Sequence, residues 1–511
     1  MRRWVIGLLL ILPILVGCGG NNGADGAFVI GLEGSPTNLD PRYATDAYST
    51  RITPLLFDNL IDNAPDGSFL PGLAESWDVE NGTVYTFHLR KGVRFHDGRP
   101  FTSADVRYTF EYMMNPDNKC PAAGSLKEIA SIETPDDFTI VFRLDKVFVP
   151  AMFKFVKGIV PAHVGDDPDF GRKLVGTGPY RLTDLQTGER VELAAFSDYH
   201  GGAPSIENIR FEVVRSDTTR MLRLQKGDLQ LVQNAVQPHA IKFFERMDSV
   251  QVLRAPGVNF SYIGFNLQDH RGITSKRKVR RAIAHAINRA IIIDALLKGQ
   301  ARVADGLLAP ENRMYNPDVP TYDYDPEQAK RLLDEAGFPD PDGDGPDVRF
   351  TLSYKTSTNN LRNRIGEILA EQLAQVGIGT EKRSYEWGTF YADIKKGNFQ
   401  TFTLSWVGIT DPDIFHYIFH SSNQPPNGAN RGRYINPEID ALIDKTRIET
   451  DPEIRKALFF RIQEILARDL VYVGLWWADN IVVATKNLHG FEILPGGQYT
   501  SLAKATWEPR P

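Results

Sequence analysis

PGLAESWDVENGTVYTFHLRKGVRFHDGRPFTSADVRYTFEYMM, Pro71 to Met114, changes its hydrophobic period once, and that change decides the fold class. In its first half Tyr85, Phe87 and Leu89 alternate with polar neighbours, which puts the apolar side chains on one face of a strand. Thr102-Ser103-Ala104-Asp105 then supplies a cap with an acid three residues on, and the run to Met114 reads as helix. Ile140, Phe142 and Leu144 predict a further strand, and Ile209, Phe211 and Val213 another.

Toward the C-terminus the pattern becomes helical. Val279, Ala282, Ile283, Ala286, Ile287, Ala290 and Ile291 recur at three and four, the stripe of one amphipathic helix. Asp325-Pro326 and Asp451-Pro452 each place an acceptor before a proline at the first helical position. Arg362 to Val376 predicts a helix closed by Gly377, with strands at Phe350–Tyr354 and Thr401–Trp406. From Leu470 the chain returns to apolar strand-like sequence through Trp476, Trp477 and Ile481 to Ala484. An α/β block between β-rich segments implies an α/β fold whose chain leaves one lobe, builds a second and comes back. Two crossing strands would then form the hinge, near Val258 to Phe265 and Tyr472 to Ile481, with a ligand between the lobes.

The N-terminus reads as an export signal. Arg2 and Arg3 precede an apolar stretch from Trp4 to Val16, too short to span a bilayer. Leu15-Val16-Gly17-Cys18 resembles a bacterial lipobox, in which Cys18 becomes the lipidated N-terminus, and the Gly- and Asn-rich stretch after it reads as a tether. Cleavage there removes two arginines and takes the net charge from -6 to -8, which argues against a nucleic-acid partner. With Cys18 acylated, Cys120 has no disulfide partner.

No catalytic constellation is legible: HExxH, GxSxG, the phosphate-binding GK[ST] loop and GxGxxG are all missing. The 10 histidines read as scattered, with none paired at metal-ligand spacing and His96 and His416 taken as structural or surface residues. No metal and no cofactor is expected. Asp340-Pro341-Asp342-Gly343-Asp344-Gly345 resembles half of a calcium loop, but Thr351 stands where the bidentate glutamate belongs, so a tight turn is the better reading. A large chain without catalytic residues is read as a binder rather than an enzyme.

The Pro71–Met114 block resembles the characteristic block of the family 5 extracytoplasmic solute-binding proteins, the peptide and nickel receptors of bacterial ABC importers. Glu33-Gly34-Ser35-Pro36-Thr37-Asn38-Leu39-Asp40-Pro41, the Gly176-Thr177-Gly178-Pro179-Tyr180 turn, Phe265-Asn266 and the Val279–Arg289 segment are similar to the family in the same order. The resemblance implies a two-lobed, periplasmic-binding-protein-like type II fold with an extra inserted subdomain. It divides the chain into a signal peptide (1–17), a lipid-anchored tether (18–26) and domain I (27–60, 176–260 and 479–511), with a subdomain inserted at 61–175 and domain II at 261–478. It implies an exported, membrane-anchored monomer that captures a small solute, foremost an oligopeptide or dipeptide, for a permease. The alternatives are an opine, oligosaccharide or metal chelate on the same fold, a sensory or chaperone role, and, last, an exported hydrolase.

Family peptide receptors hold the ligand ammonium with an acid soon after a Trp, and dipeptide receptors clamp the carboxylate with an Arg. In Trp406-Val407-Gly408-Ile409-Thr410-Asp411, Ile409 stands at the acidic position and Asp411 belongs with the Asp-Pro that follows. Near Tyr354–Thr358 the chain has Lys355-Thr356 instead of Arg, and lysine lacks the planar fork. The candidate site residues are therefore Glu33, Gly34 and Ser35 on domain I, Tyr262 at the hinge, and Lys355, Thr356, Trp387, Trp406, Asp411, Asn430 and Arg431.

Overall fold

The computed structural model describes residues 26–343 and 345–509; Cys18, the signal segment and most of the tether lie outside the described residues. Strands Val250–Phe265 and Tyr472–Thr485 run antiparallel along nearly their whole lengths and form the middle of an eleven-stranded sheet. Beyond the C-terminal half of Tyr472–Thr485 come Leu231–Gln233, Phe28–Leu32, Asn208–Val213, Arg190–Ala195 and Tyr180–Gln186. Beyond the C-terminal half of Val250–Phe265 come Thr401–Trp406, Phe350–Ser357 and Ile378–Tyr385, and Ala301–Val303 pairs off to one side. Each crossing strand thus belongs to both halves of a two-lobed, mixed α/β molecule. Val482, Val483 and Ala484 are fully buried, and a strand covered on both faces has no polar side to alternate with.

The Pro71–Met114 stretch lies in a separate four-stranded antiparallel sheet, in the order Ala74–Glu80, Val84–Leu89, Thr139–Leu144, Ile129–Asp136. Phe87, Phe110, Phe142 and Phe155 pack there with ring centroids 4.6–5.8 Å apart. Each such pair adds about 1 kcal/mol beyond area burial. Helix Ser103–Met114 is capped as its sequence predicts: the Asp105 carboxylate accepts from Thr102 N and, through its other oxygen, from Ala162 N, both at 2.9 Å. His96 ties this unit to the Gly176–Tyr180 turn, accepting from Gly176 N at Nδ1 (3.2 Å) with Nε2 3.0 Å from Gly178 O. Burial lowers the ring's pKa to about 4, so it stays neutral and can make both contacts.

Two expectations need correction or detail. The stripe from Val279 to Ile291 is two helices, Arg277–Ala286 and Arg289–Leu297, because the Asn288 side chain accepts from Ile291 N and starts a second helix. Periodicity survives such a break, so the apolar stripe alone could not reveal it. In the Asp340–Gly345 segment the Asp342 carboxylate accepts from Asp347 N at 3.0 Å, a turn contact, while Asp344 lies outside the described residues. Among the described residues no helix is long and apolar enough to cross a membrane.

Candidate ligand-binding site

Phe350–Ser357 runs parallel to both Ile378–Tyr385 and Thr401–Trp406, so Ser357, Tyr385 and Trp406 finish along one edge of the sheet. Helices Asn360–Ala374 and Trp387–Lys396 begin immediately after the first two of these strands. The carboxyl ends of parallel strands are where open α/β sheets take ligands. Large apolar side chains are left in solvent along this edge and the loop after Trp406: Trp387 is 45% exposed, Val407 60% and Tyr417 47%. That concentration marks a surface built to be covered.

The edge is organised by alternating cations and rings. Arg431, only 8% exposed, lies 4.5 Å over the Trp406 ring, and its two terminal nitrogens donate to Tyr262 OH at 3.0 Å and Tyr391 OH at 3.1 Å. Tyr262 stacks on Tyr472 with centroids 4.0 Å apart. Tyr391 stacks on Trp387 at 5.5 Å, and Arg362 covers Trp387 at 4.9 Å. Burial works against the Arg431 charge, but the tyrosine hydroxyls around it raise its pKa above the ordinary arginine value. Arg431 makes no ion pair among the described residues.

Tyr262, Trp387, Trp406 and Arg431 are thus brought together, with Tyr262 fully buried as the backing of the wall. Lys355 points under the same helix, but its ammonium is 2.6 Å from Asp393, whose carboxyl that contact holds below the usual range. Thr356 is buried in the strand. Asn430 knots its own loop, donating to Tyr434 O at 2.8 Å and accepting from Tyr434 N at 2.9 Å. Glu33, Gly34 and Ser35 sit apart on the first lobe: Tyr48 OH donates to Glu33, a Cβ on Gly34 would meet the Tyr48 ring, and Ser35 Oγ accepts from Gly188 N. Next to the Trp406–Asp411 loop is a cavity of about 860 Å³, lined in part by Thr53, Asp58, Asn63, Lys157, Gly408 and Thr410. None of the described candidates lines it.

Asp411 belongs to a contact between the inserted unit and the second lobe. Asn63 donates to Thr410 Oγ1 at 3.2 Å, Val149 N to Arg447 O at 2.8 Å and Arg313 N to Asp66 O at 3.0 Å. Burial raises the pKa of Asp411, against the pull of Lys154, and burial beside Asp411 raises Asp413 to about 6 although Arg447 lies 3.0 Å away. The folded protein therefore binds a proton that the unfolded chain releases near pH 4. The resulting stabilisation is complete below that ordinary value and fades as pH rises through about 6. Urea unfolding at about pH 5 and about pH 7.5 is expected to show a larger acid gain in the wild type than in Asp413→Asn, by on the order of 1 kcal/mol. The same pH dependence in both proteins would assign the gain elsewhere.

Sequence reading missed Arg362, Tyr391 and the Thr410 contact. Tyr391 stands four residues after Trp387, a helical spacing that could have paired them; no sequence signal places Thr410 against Asn63. The expectation that no histidines pair at metal-ligand spacing is wrong. His416 and His420 lie one turn apart and, with Asp444, have ligand atoms within 4.8 Å of one another. Arg447 donates to His416 Nε2 at 3.1 Å, which engages that nitrogen.

The family model for bacterial extracellular solute-binding proteins, family 5 Middle, matches residues 68–427. The dipeptide-binding protein of Escherichia coli (strain K12) is 29% identical over 501 residues, covering 91% of this chain and 92% of that protein. The structure of the oligopeptide-binding protein AppA from Bacillus subtilis, in complex with a nonapeptide, superposes with a TM-score of 0.78 at 27% identity, covering 94% of this chain and 99% of that one. The ABC transporter substrate binding protein CtaP from Listeria monocytogenes shares the fold with a TM-score of 0.85 at 24% identity, covering 94% and 99%.

Proposed function

The chain belongs to the family 5 bacterial extracellular solute-binding proteins, and on that premise we propose that it captures a short peptide between its lobes and delivers it to the permease of an ABC importer. The observation that carries this reading is the Trp387–Tyr391–Arg431–Trp406 array at the carboxyl edge of the second-lobe strands. Flat, half-exposed indoles grip side chains of many shapes, while specificity falls to a few polar groups. The neighbouring cavity of about 860 Å³ falls within the range of small-molecule sites and suits a peptide of a few residues. Ile409 replaces the acid that would hold an ammonium, so that end of the ligand is gripped differently from a dipeptide receptor's. The division into domain I, inserted subdomain and domain II, closure of the lobes about the crossing strands, export, and anchoring through a lipid on Cys18 complete the reading. No chemical turnover is expected.

Protein beginning after Cys18, purified without denaturant and then unfolded, should release a small molecule identifiable by mass spectrometry. A released peptide, or a melting temperature that climbs with peptide concentration, supports the assignment. Neither result across a library of short peptides overturns the peptide ligand and leaves the fold untouched.

A further inference from the structure

The inserted unit and the second lobe meet over a broad contact, and two carboxylates are shut inside it. Hydrogen bonds cross from Asn63 to Thr410, from Val149 N to Arg447 O and from Arg313 N to Asp66 O, and the Arg447 guanidinium lies 4.8 Å from the Phe148 ring. Asp411 and Asp413 stand in the same contact, just before helix Ile414–Phe419. One Asp411 oxygen accepts from Asp413 N at 2.8 Å, and Asp411 makes no ion pair among the described residues. The Asp413 side chain, 12% exposed, has Arg447 at 3.0 Å.

Lys154 faces both acids from the inserted unit, while Arg447 and Arg455 face them from second-lobe helices Pro437–Ile448 and Pro452–Asp469. Arg313 and Tyr85 in turn face Arg455, and burial pushes the Tyr85 hydroxyl up to about 12. His416 faces Arg447, His420, Lys127 and Asp440; burial and the Arg447 charge lower its pKa to about 3, so it stays neutral. His420 finds Ser422 and Asp444 within the second lobe, a setting that parting of the lobes does not change.

The aspartates differ from these neighbours in what opening does to them. Arg447 and Arg455 travel with them on the second lobe, whereas Phe148, Tyr85 and Lys154 leave with the inserted unit. Water then replaces the cover, and burial, the larger influence on both carboxyls, is relieved. Loss of Lys154 acts in the opposite sense and is the smaller change.

We propose that the Asp411–Asp413 pair is a proton-linked latch, so that the lobes close with uptake of a proton at this pair and part with its release. The inference rests on the lobe closure read above and adds how pH sets it. A carboxyl whose pKa is higher in the closed form favours that form as pH falls. The gain is complete below the ordinary carboxylate value and is lost as pH rises through about 6.

Small-angle X-ray scattering of the protein beginning after Cys18, freed of solute, reads the balance of closed and open forms at pH 5 and pH 7.5. The closed-to-open ratio of the wild type is expected to be about tenfold higher at pH 5. Asp413→Asn carries an amide that cannot titrate, and its ratio should respond less. Hydrogen exchange at the Val149 and Arg313 amides, corrected for the chemical rate, should show the same acid protection. That second reading needs only the wild type and stands if the variant does not fold. Equal ratios and equal protection at both pH values in the wild type overturn the latch, as does an undiminished response in Asp413→Asn. Calorimetry with trialanine at pH 6, in two buffers of different ionisation heat, separates latch from ligand. Proton uptake on binding that shrinks in Asp413→Asn supports the latch, and binding without uptake overturns it. Failure of trialanine to bind counts against the short-peptide reading alone, since scattering still decides the latch.

Discussion

Gly257→Ala is expected to destabilise the protein by about 3 kcal/mol or more and to weaken solute binding with it. Pro256 and Gly257 lie at the irregularity in the crossing pair, between the Ala255–Asn480 and Asn259–Ala478 partners. A Cβ on Gly257 would lie 2.1 Å from the carbonyl oxygen of Ala478 and 3.2 Å from its carbon. Both are backbone atoms, so no side chain can turn aside; one strand has to leave the other. Because each crossing strand serves both lobes, that displacement moves one lobe against the other as well as lowering stability. Chemical denaturation of the variant, with calorimetry on whatever solute the wild type retains, reads both effects. A variant of unchanged midpoint would show that the pair has slack at this point.

The second large effect is expected from Arg431→Met. The guanidinium satisfies Tyr262 and Tyr391 and holds the Trp406 ring by cation–π contact. Methionine fills much of the space, yet leaves two hydroxyls without their donor in a buried setting. Affinity should fall roughly tenfold to a hundredfold, since a hydrogen bond to a charged group contributes about 1.5–3 kcal/mol. Arg431→Lys should recover little, because an ammonium cannot bond two hydroxyls and cover an indole in one plane. The near-ultraviolet circular dichroism of Trp406 should weaken in both variants. Unchanged affinity together with an unchanged Trp signal would reduce Arg431 to a packing role.

The pH behaviour of Asp413 is separable from these two. The aspartate lies at the contact between the inserted unit and the second lobe. Three substitutions therefore probe the strand crossing, the binding wall and the lobe contact in turn.

Much of the molecule is written locally in its chain. The Thr102–Asp105 cap, the Asp-Pro starts at Pro326 and Pro452, and the Thr401–Trp406 strand are formed as read, because caps and alternation act over a few residues. The Pro71–Met114 block and the Gly176–Tyr180 turn, read separately in the chain, meet in the fold, where His96 of one holds the backbone of the other. Of the site, Trp387, Trp406, Tyr262 and Arg431 could be named individually. Their order in one stack could not, since it depends on strands and a helix that meet only after folding. The sequence by itself determined the class of fold, the strand and helix starts and the absence of familiar catalytic motifs, all of which rest on neighbours a few residues apart. Only the tertiary structure decided which cation is spent on Asp393, which lies over Trp387, and which carboxylates are buried at the lobe contact, because charge pairing and desolvation depend on distances across the fold.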